Sequence, residues 1–292
     1  MLKITFLGTS GSSPTIERSM PAIAIQYNGD HLIWDVGECT QRQMMKHDVG
    51  YGSINAVFIT HAHLDHYLGL FGLLETLNLN RTKKKIDVFG FDDFSWIEER
   101  YAFVKFTKIK KAKLYSGKNY SVSAFPVKHC KGAYGLVFQE DDHIKFYEKK
   151  AHSLGLWGNM FTEIQKKGWV EVKGKKVKLE DVTWKKKGRK IVYTGDTLPC
   201  DSVVKMANGA DVLIHESTFD PERKAEAKER LHSTMEDAAK IAKKVKVGQL
   251  VLTHFSPRYP DVKIFEKEIR KIFPNTVFAY DGLVLDVEFK NI

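Results

Sequence analysis

The chain has 292 residues, 43% of them apolar, enough to bury a substantial core, and it carries a formal net charge of +10. Its opening, MLKITFLGTSGSS, breaks at Gly8 and Gly11 and lacks the long apolar stretch of a signal peptide or membrane span, so the chain reads as cytoplasmic. Three cysteines at wide spacings, Cys39, Cys130 and Cys200, suit neither a disulfide framework nor a Cys-rich zinc site, so any metal must be held mainly by carboxylates and by some of the eleven His.

In chain order, short runs rich in β-branched residues predict strands over residues 4–7, 22–26 and 31–34, then a helix over 40–46. A strand over 56–59 precedes a helix over 70–77, and strands follow over 86–89, 122–125 and 136–138. Beyond them come strands over 191–193 and 212–214, a helix over 234–245 and a strand over 250–252. A helix over 263–272 and a strand over 283–287 complete the chain. The helix at 234 opens on Ser233-Thr234-Met235-Glu236, which supplies a cap. Strands alternating with helices indicate an α/β domain with sheets inside and helices outside.

Residues 148–190 interrupt this rhythm. They are rich in Lys, carry Trp157, Phe161, Trp169 and Trp184, and have turn signals at Gly155, Gly158, Gly168 and Gly174. They read as an insertion within a single domain spanning 1–292, with the aromatics forming the insertion's own small core or stacking on bases. The segment has thirteen Lys and Arg against five acids, and residues 105–118 have six Lys and no acid, which leaves the rest of the chain at −4. Such clusters are either solvated surface or a phosphate-binding face, since clustered cations displace the counterions condensed on nucleic acid. Charge alone does not choose between the two.

The strongest chemical signal is His61-Ala62-His63-Leu64-Asp65-His66, placed directly after the strand over 56–59. Four ligand-type residues in six positions cannot all point one way on a strand or helix, but a tight turn can converge them on one or two cations. Imidazole and carboxylate suit Zn²⁺ where thiolates are absent. Three later apolar runs lead to His129, Asp196 and His254, and ligand sites in α/β sheets form beyond the carboxyl ends of strands. The resulting seven donors are too many for one tetrahedral zinc and natural for two with a bridging carboxylate.

These motifs resemble the metallo-β-lactamase superfamily, and within it the ribonuclease Z family. The likeness is carried by residues 6–11, by Trp34-Asp35-Val36-Gly37-Glu38 running into Thr40-Gln41-Arg42-Gln43, and by residues 60–70 and 193–197. His215-Glu216-Ser217-Thr218-Phe219, His232-Ser233-Thr234 and His254-Phe255-Ser256-Pro257-Arg258-Tyr259 are the stretches more specific to the RNA-processing family. The resemblance implies an αββα sandwich with a projecting basic arm at 148–190 that grips the tRNA body. It implies one zinc on His61, His63 and His129, a second on Asp65, His66 and His254, and Asp196 as the bridge. It further implies Asp65 as proton acceptor, Glu216 and His232 as a pair beside the metals, Arg258 in the C-terminal motif, and a homodimer acting on precursor tRNA. The plainer alternative pairs Glu216 with Arg258 and leaves His232 to help cap a helix. Bacterial relatives carry a Gly-Pro step in the arm where this chain has Gly158-Asn159, which affects the arm's local shape but not its charge.

Two zinc ions about 3.5 to 4 Å apart activate water at neutral pH and neutralise charge at a phosphoryl centre. The expected reaction is removal of the 3′ trailer from precursor tRNA. No donor position is missing, which argues against a non-catalytic RNA-binding module. The basic insertion argues against a hydrolase of a small phosphodiester or other ester, which needs no cationic surface away from the metals.

Overall fold

The computed structural model describes residues 1–91 and 94–289. They divide into two compact units, Met1–Gln139 with Arg189–Ile292, and Glu140–Gly188.

The larger unit is built on two mixed seven-stranded sheets. The first contains β1 (Leu2–Gly8), β2 (Ala22–Tyr27), β3 (Asp30–Val36), β4 (Ile54–Phe58), β5 (Ile86–Gly90) and β6 (Val104–Lys108), with β18 (Val284–Asp286) beside β1. The second runs β17 (Thr276–Phe278), β16 (Gln249–Thr253), β15 (Val212–Glu216), β14 (Lys190–Tyr193), β9 (Tyr134–Glu140), β8 (Tyr120–Pro126), β7 (Lys113–Gly117). In the first sheet β3 to β6 are parallel, and in the second β14 to β17 are parallel.

Period-two alternation explains why the strands read as continuous apolar runs. On β3, Leu32 and Trp34 enter a core shared with Phe138, Tyr193 and Val251 of the second sheet, while Ile33 faces outward onto Leu70, Leu73 and Leu74 of the helix Gly69–Leu79, and the bulge at Asp35 turns Val36 to that outer side as well. The outer face of the second sheet is covered in the same way, with Leu213 and Leu250 against Val203, Met235, Ala239 and Ile269. The order of layers is therefore helices, sheet, sheet, helices. Burying an aromatic of this inner layer such as Trp34 or Phe58 contributes roughly 1.5–3 kcal/mol. The helix Met235–Lys244 is capped by Thr234, whose hydroxyl accepts from Asp237 N at 3.0 Å while Asp237 reaches back to Thr234 N.

Of the lysines of residues 105–118, five lie on β6, on β7 and on the link between them and Lys118 lies in the turn from β7 to β8; β6 and β7 are each the outermost strand of their sheet. Lys on an exposed edge discourages pairing with another chain's strand. No described helix is long and apolar enough to cross a membrane.

The smaller unit pairs β10 (His143–Phe146) with β13 (Thr183–Lys186) and β11 (Trp169–Val172) with β12 (Lys175–Lys178). Its core is aliphatic, formed by Ala151, Leu156, Ile164, Val170, Val177 and Val182. The sequence reading that gives this core to the aromatics is corrected for the indoles, while Phe161 does pack against it. Trp157 stays 62% exposed, stacked on His152 at 4.0 Å, and Trp169 is 41% exposed beneath Lys176. Aliphatic side chains fill a core this small, and the indoles are left outside it.

Candidate metal centre

Four strand ends deliver the donors. Beyond β4 the chain turns through Thr60 and His61, and a short helix, Leu64–Tyr67, then carries Asp65 and His66. His129 follows β8, Asp196 follows β14 and His254 follows β16. Two glycines make room for this convergence. Gly195 has φ +57, and a Cβ there would stand 3.1 Å from Thr60. A Cβ on Gly11 would stand 2.5 Å from the His254 ring.

The donors fall into two groups whose ligating atoms lie within 4.8 Å of one another, His61, His63, His129 and Asp196 in one and Asp65, His66 and His254 in the other. Asp196 faces both. Its Oδ2 lies 3.6 Å from His61 Nε2 and 3.7 Å from His129 Nε2, and its Oδ1 lies 3.3 Å from His254 Nε2.

The hydrogen bonds on the outer side of each ring determine what the inner side offers. His66 Nδ1 donates to Asp35 at 2.8 Å and His129 Nδ1 donates to the Leu231 carbonyl at 2.9 Å. Thr60 and Thr218 give their hydroxyl protons to Asp35 and Glu216, so their oxygens accept from His61 Nδ1 at 3.0 Å and His254 Nδ1 at 2.8 Å. Each of these four imidazoles therefore turns an unprotonated Nε2 inward. His66 Nε2 and His254 Nε2 face each other at 3.3 Å, and His61 Nε2 and Asp196 Oδ1 are buried with no hydrogen bond among the described residues. Lone pairs crowded in this way around carboxylates fit divalent cations of the zinc type. Burial would lower His66, but the Asp196 and Asp35 carboxylates outweigh it and raise His66 well above the usual imidazole range. Until a cation takes the inward nitrogens a proton is retained there, and burial together with that charge pushes His61 well below the range. Burial would raise Asp196, but the neighbouring His254 and His66 outweigh it and hold the carboxyl well below its usual range.

Asp35, at the end of β3 with φ +56, is the hub of this support. It accepts from Thr60 N at 2.8 Å, from the Thr60 hydroxyl, from His66 and from the Tyr193 hydroxyl at 2.8 Å. Its function was not read from the sequence, although an acid ending a strand, as Asp196 nearly does, was a usable signal. Thr60 and Thr218 were missed because a hydroxyl has no ligand signature.

Glu216 and His232 are paired, with His232 Nδ1 3.0 Å from Glu216 Oε1, and His232 forms a further group with Asp196 and His254. The alternative pairing of Glu216 with Arg258 is not what the structure contains. Arg258 makes a two-pronged contact with Glu226, 3.0 Å at each prong, and lies over the Phe219 ring. The cap of the following helix belongs to Thr234, which leaves His232 unneeded for that task. Burial pushes His232 down, but the Glu216 carboxylate more than offsets this and raises it to about 9. Two bound cations would pull it back toward neutrality.

Two sheets meeting at a His and Asp cluster define a metal-dependent hydrolase of the metallo-β-lactamase superfamily. Residues 162–255 match the model of the beta-lactamase superfamily domain, and residues 2–95 match that of the anti-Pycsar protein Apyc1. The chain is 37% identical to a ribonuclease Z of Archaeoglobus fulgidus, over 99% of both chains. It is 39% identical to a ribonuclease Z of Pyrococcus horikoshii, over 96% of this chain and 94% of the relative. The short form of human tRNase Z superposes with a TM-score of 0.69 at 26% identity, covering 98% of this chain and 99% of the human one. The chain belongs to the ribonuclease Z family.

Proposed function

We propose that this chain is a binuclear zinc endoribonuclease that cuts the 3′ trailer from precursor tRNA, leaving a 3′-hydroxyl on the tRNA and a 5′-phosphate on the trailer. The observation that carries this reading is the inward-facing set of unprotonated imidazole nitrogens around Asp196, in a chain of the ribonuclease Z family. His61, His63 and His129 would hold one ion and Asp65, His66 and His254 the other, with Asp196 available to both groups. When bound, such a pair of ions supplies activated water and stabilises charge on the phosphoryl oxygens.

The chain's own groups do the rest. Asp65 Oδ2, fixed by Ser12 N at 3.0 Å and partly open to solvent, takes the proton of the attacking water. His232, held through Nδ1 by Glu216, presents Nε2 to the departing ribose O3′ and protonates it. Glu216 acts through His232 as a positioning residue. Arg258, set on the rim by Glu226, meets substrate phosphate rather than the reacting bond. The basic segment 148–190, with its exposed Trp157 and Trp169, grips the body of the tRNA, and in a homodimer one subunit's arm serves the other's site. The enzyme works in the cytoplasm.

The test is incubation of the metal-replete protein with an end-labelled precursor tRNA. A single cut at the base of the acceptor stem with the stated ends supports the reading, and an uncut precursor in the presence of zinc or manganese overturns it.

A further inference from the structure

A cavity of about 260 Å³ opens beside His232, away from the seven metal donors. It is small among ligand sites, with room for one nucleotide rather than a helix. Its floor is apolar, made by Leu198 and the buried Ala227, and its rim carries Lys128, Lys224 and Lys228. These cations come from separate places in the fold. Lys128 lies just beyond β8, whereas Lys224 and Lys228 are four residues apart on the helix Lys224–Glu229. Like charges at that spacing repel and cost the helix some stability, so the arrangement is not explained by local structure. Among the described residues no carboxylate pairs with Lys128 or Lys228. Lys224 lies 3.8 Å from Asp237 Oδ1, while Asp237 Oδ2 is occupied at the helix cap. An apolar floor under a ring of cations has the chemistry that receives a planar base attached to a phosphate.

The position of His232 tells which nucleotide this is. In-line displacement puts the attacking and departing oxygens on opposite sides of the phosphorus. If His232 protonates the departing O3′, the ribose bearing that oxygen lies against its ring, and that ring lines the cavity. We infer that the lysine-rimmed cavity beside His232 is the subsite for the single nucleotide on the 5′ side of the cut, with its base on Leu198 and Ala227 and its 5′-phosphate on the lysines. The inference rests on the endoribonuclease reading and goes beyond it by assigning a place to the product's 3′ end.

The experiment uses the metal-loaded enzyme cutting precursor tRNA and two competing inhibitors. One is a short RNA of acceptor-end sequence with a free 3′-hydroxyl, and the other is a short RNA of trailer sequence with a 5′-phosphate. In the Lys224→Ala/Lys228→Ala variant, inhibition by the first RNA weakens by roughly ten-fold per lysine, as for loss of one charge-assisted contact, and its salt slope falls by about 1 per lysine. Inhibition by the trailer RNA stays within about two-fold, and Lys224→Arg/Lys228→Arg retains binding of both. The unmodified enzyme gives an independent reading, because an abasic residue at the 3′ end of the first RNA weakens its inhibition roughly ten-fold if the base rests on the apolar floor. Equal weakening of both RNAs, weakening of the trailer RNA alone, or no weakening overturns the subsite, as does an abasic end that binds as well as the natural one. A wild-type enzyme that leaves precursor tRNA uncut overturns the endoribonuclease reading instead, so the two failures are separable.

Discussion

Glu216 carries a larger structural load than its place beside His232 suggests. Its Oε1 accepts from Thr197 N at 3.1 Å, Ser233 N at 2.8 Å and His232 Nδ1 at 3.0 Å, and its Oε2 accepts from Thr218 N at 3.0 Å and the Thr218 hydroxyl at 2.8 Å. The carboxylate is fully buried, so donors stripped of it have no water to turn to. Glu216→Ala orphans three backbone N–H groups at about 1–3 kcal/mol each and leaves a cavity, for a total loss of about 4–6 kcal/mol or more. That is a large share of the roughly 5–15 kcal/mol that a folded domain has in hand. Glu216→Gln costs less, about 2 kcal/mol, because its amide settles with the NH₂ toward Thr218, whose hydroxyl can turn to accept while only the Thr218 N–H is orphaned. His232→Ala removes one of five donors to Glu216 and costs under about 1.5 kcal/mol. Urea unfolding of the three variants in a chelator, where metal affinity cannot contribute, tests this order. A Glu216→Ala protein as stable as wild type, or a Gln variant as damaged as the Ala variant, would refute the reasoning.

The purified protein should bind two metal ions per chain, and His63→Ala or Asp196→Ala should lose at least one, as read by elemental analysis; a stoichiometry that stays near one under metal-replete conditions removes the binuclear site. His232→Ala should keep both ions and lose kcat on precursor tRNA by about 10²-fold to 10⁴-fold, the usual range for a general acid. The same variant should recover most of its activity on bis(p-nitrophenyl) phosphate, whose leaving group needs little protonation, and equal impairment on both substrates would show that His232 is not the acid. Gln139 and Lys190 stand directly opposite each other on β9 and β14, so residues 140–189 can be replaced by a tight turn. That deletion should weaken cleavage of precursor tRNA while largely sparing the small phosphodiester; parallel losses with the fold intact would count against an RNA-gripping arm.

Much of this was readable before any coordinates. Both faces of each sheet are covered, so strands such as β2, β14, β15 and β16 stand out as short apolar runs, and residues 4–7, 212–214 and 250–252 fall inside observed strands. The helix over 40–46 has the predicted limits, whereas that over 263–272 begins as a tighter turn, Val262–Phe265, before Glu266–Ile272. What escaped were the elements without an apolar signature. β6, with exposed Lys105 and Lys108, and β7, which opens on exposed Lys113, are edges with few buried side chains, and β17 is three residues long. The helix Lys224–Glu229 buries only Ala227. The metal donors were visible because imidazoles packed at strand ends are rare, and the seven residues do lie together. Asp35 and the two threonines act through hydrogen bonds that only three-dimensional contact reveals, and the partner of Arg258, Glu226, comes from a helix the sequence did not announce.

Chain order follows layer order. Up to β6 every strand belongs to the first sheet, from β7 to β17 every strand outside the smaller unit's β10 to β13 belongs to the second, and only β18 returns. Four of the seven donors come from the first stretch and three from the second, so neither stretch owns a complete set of ligands. A cut in the exposed link at Lys110 and Lys111 would yield two polypeptides, each one sheet with its outer helices, and β18 would be lent by the later piece to the sheet of the earlier one. The two would share an inner apolar face and a donor set that is whole only when they dock. Reassembly of such a divided protein would then be cooperative in the metal, with each ion acting as a rivet between layers, and the concentration of free metal would decide whether the two polypeptides behave as one molecule.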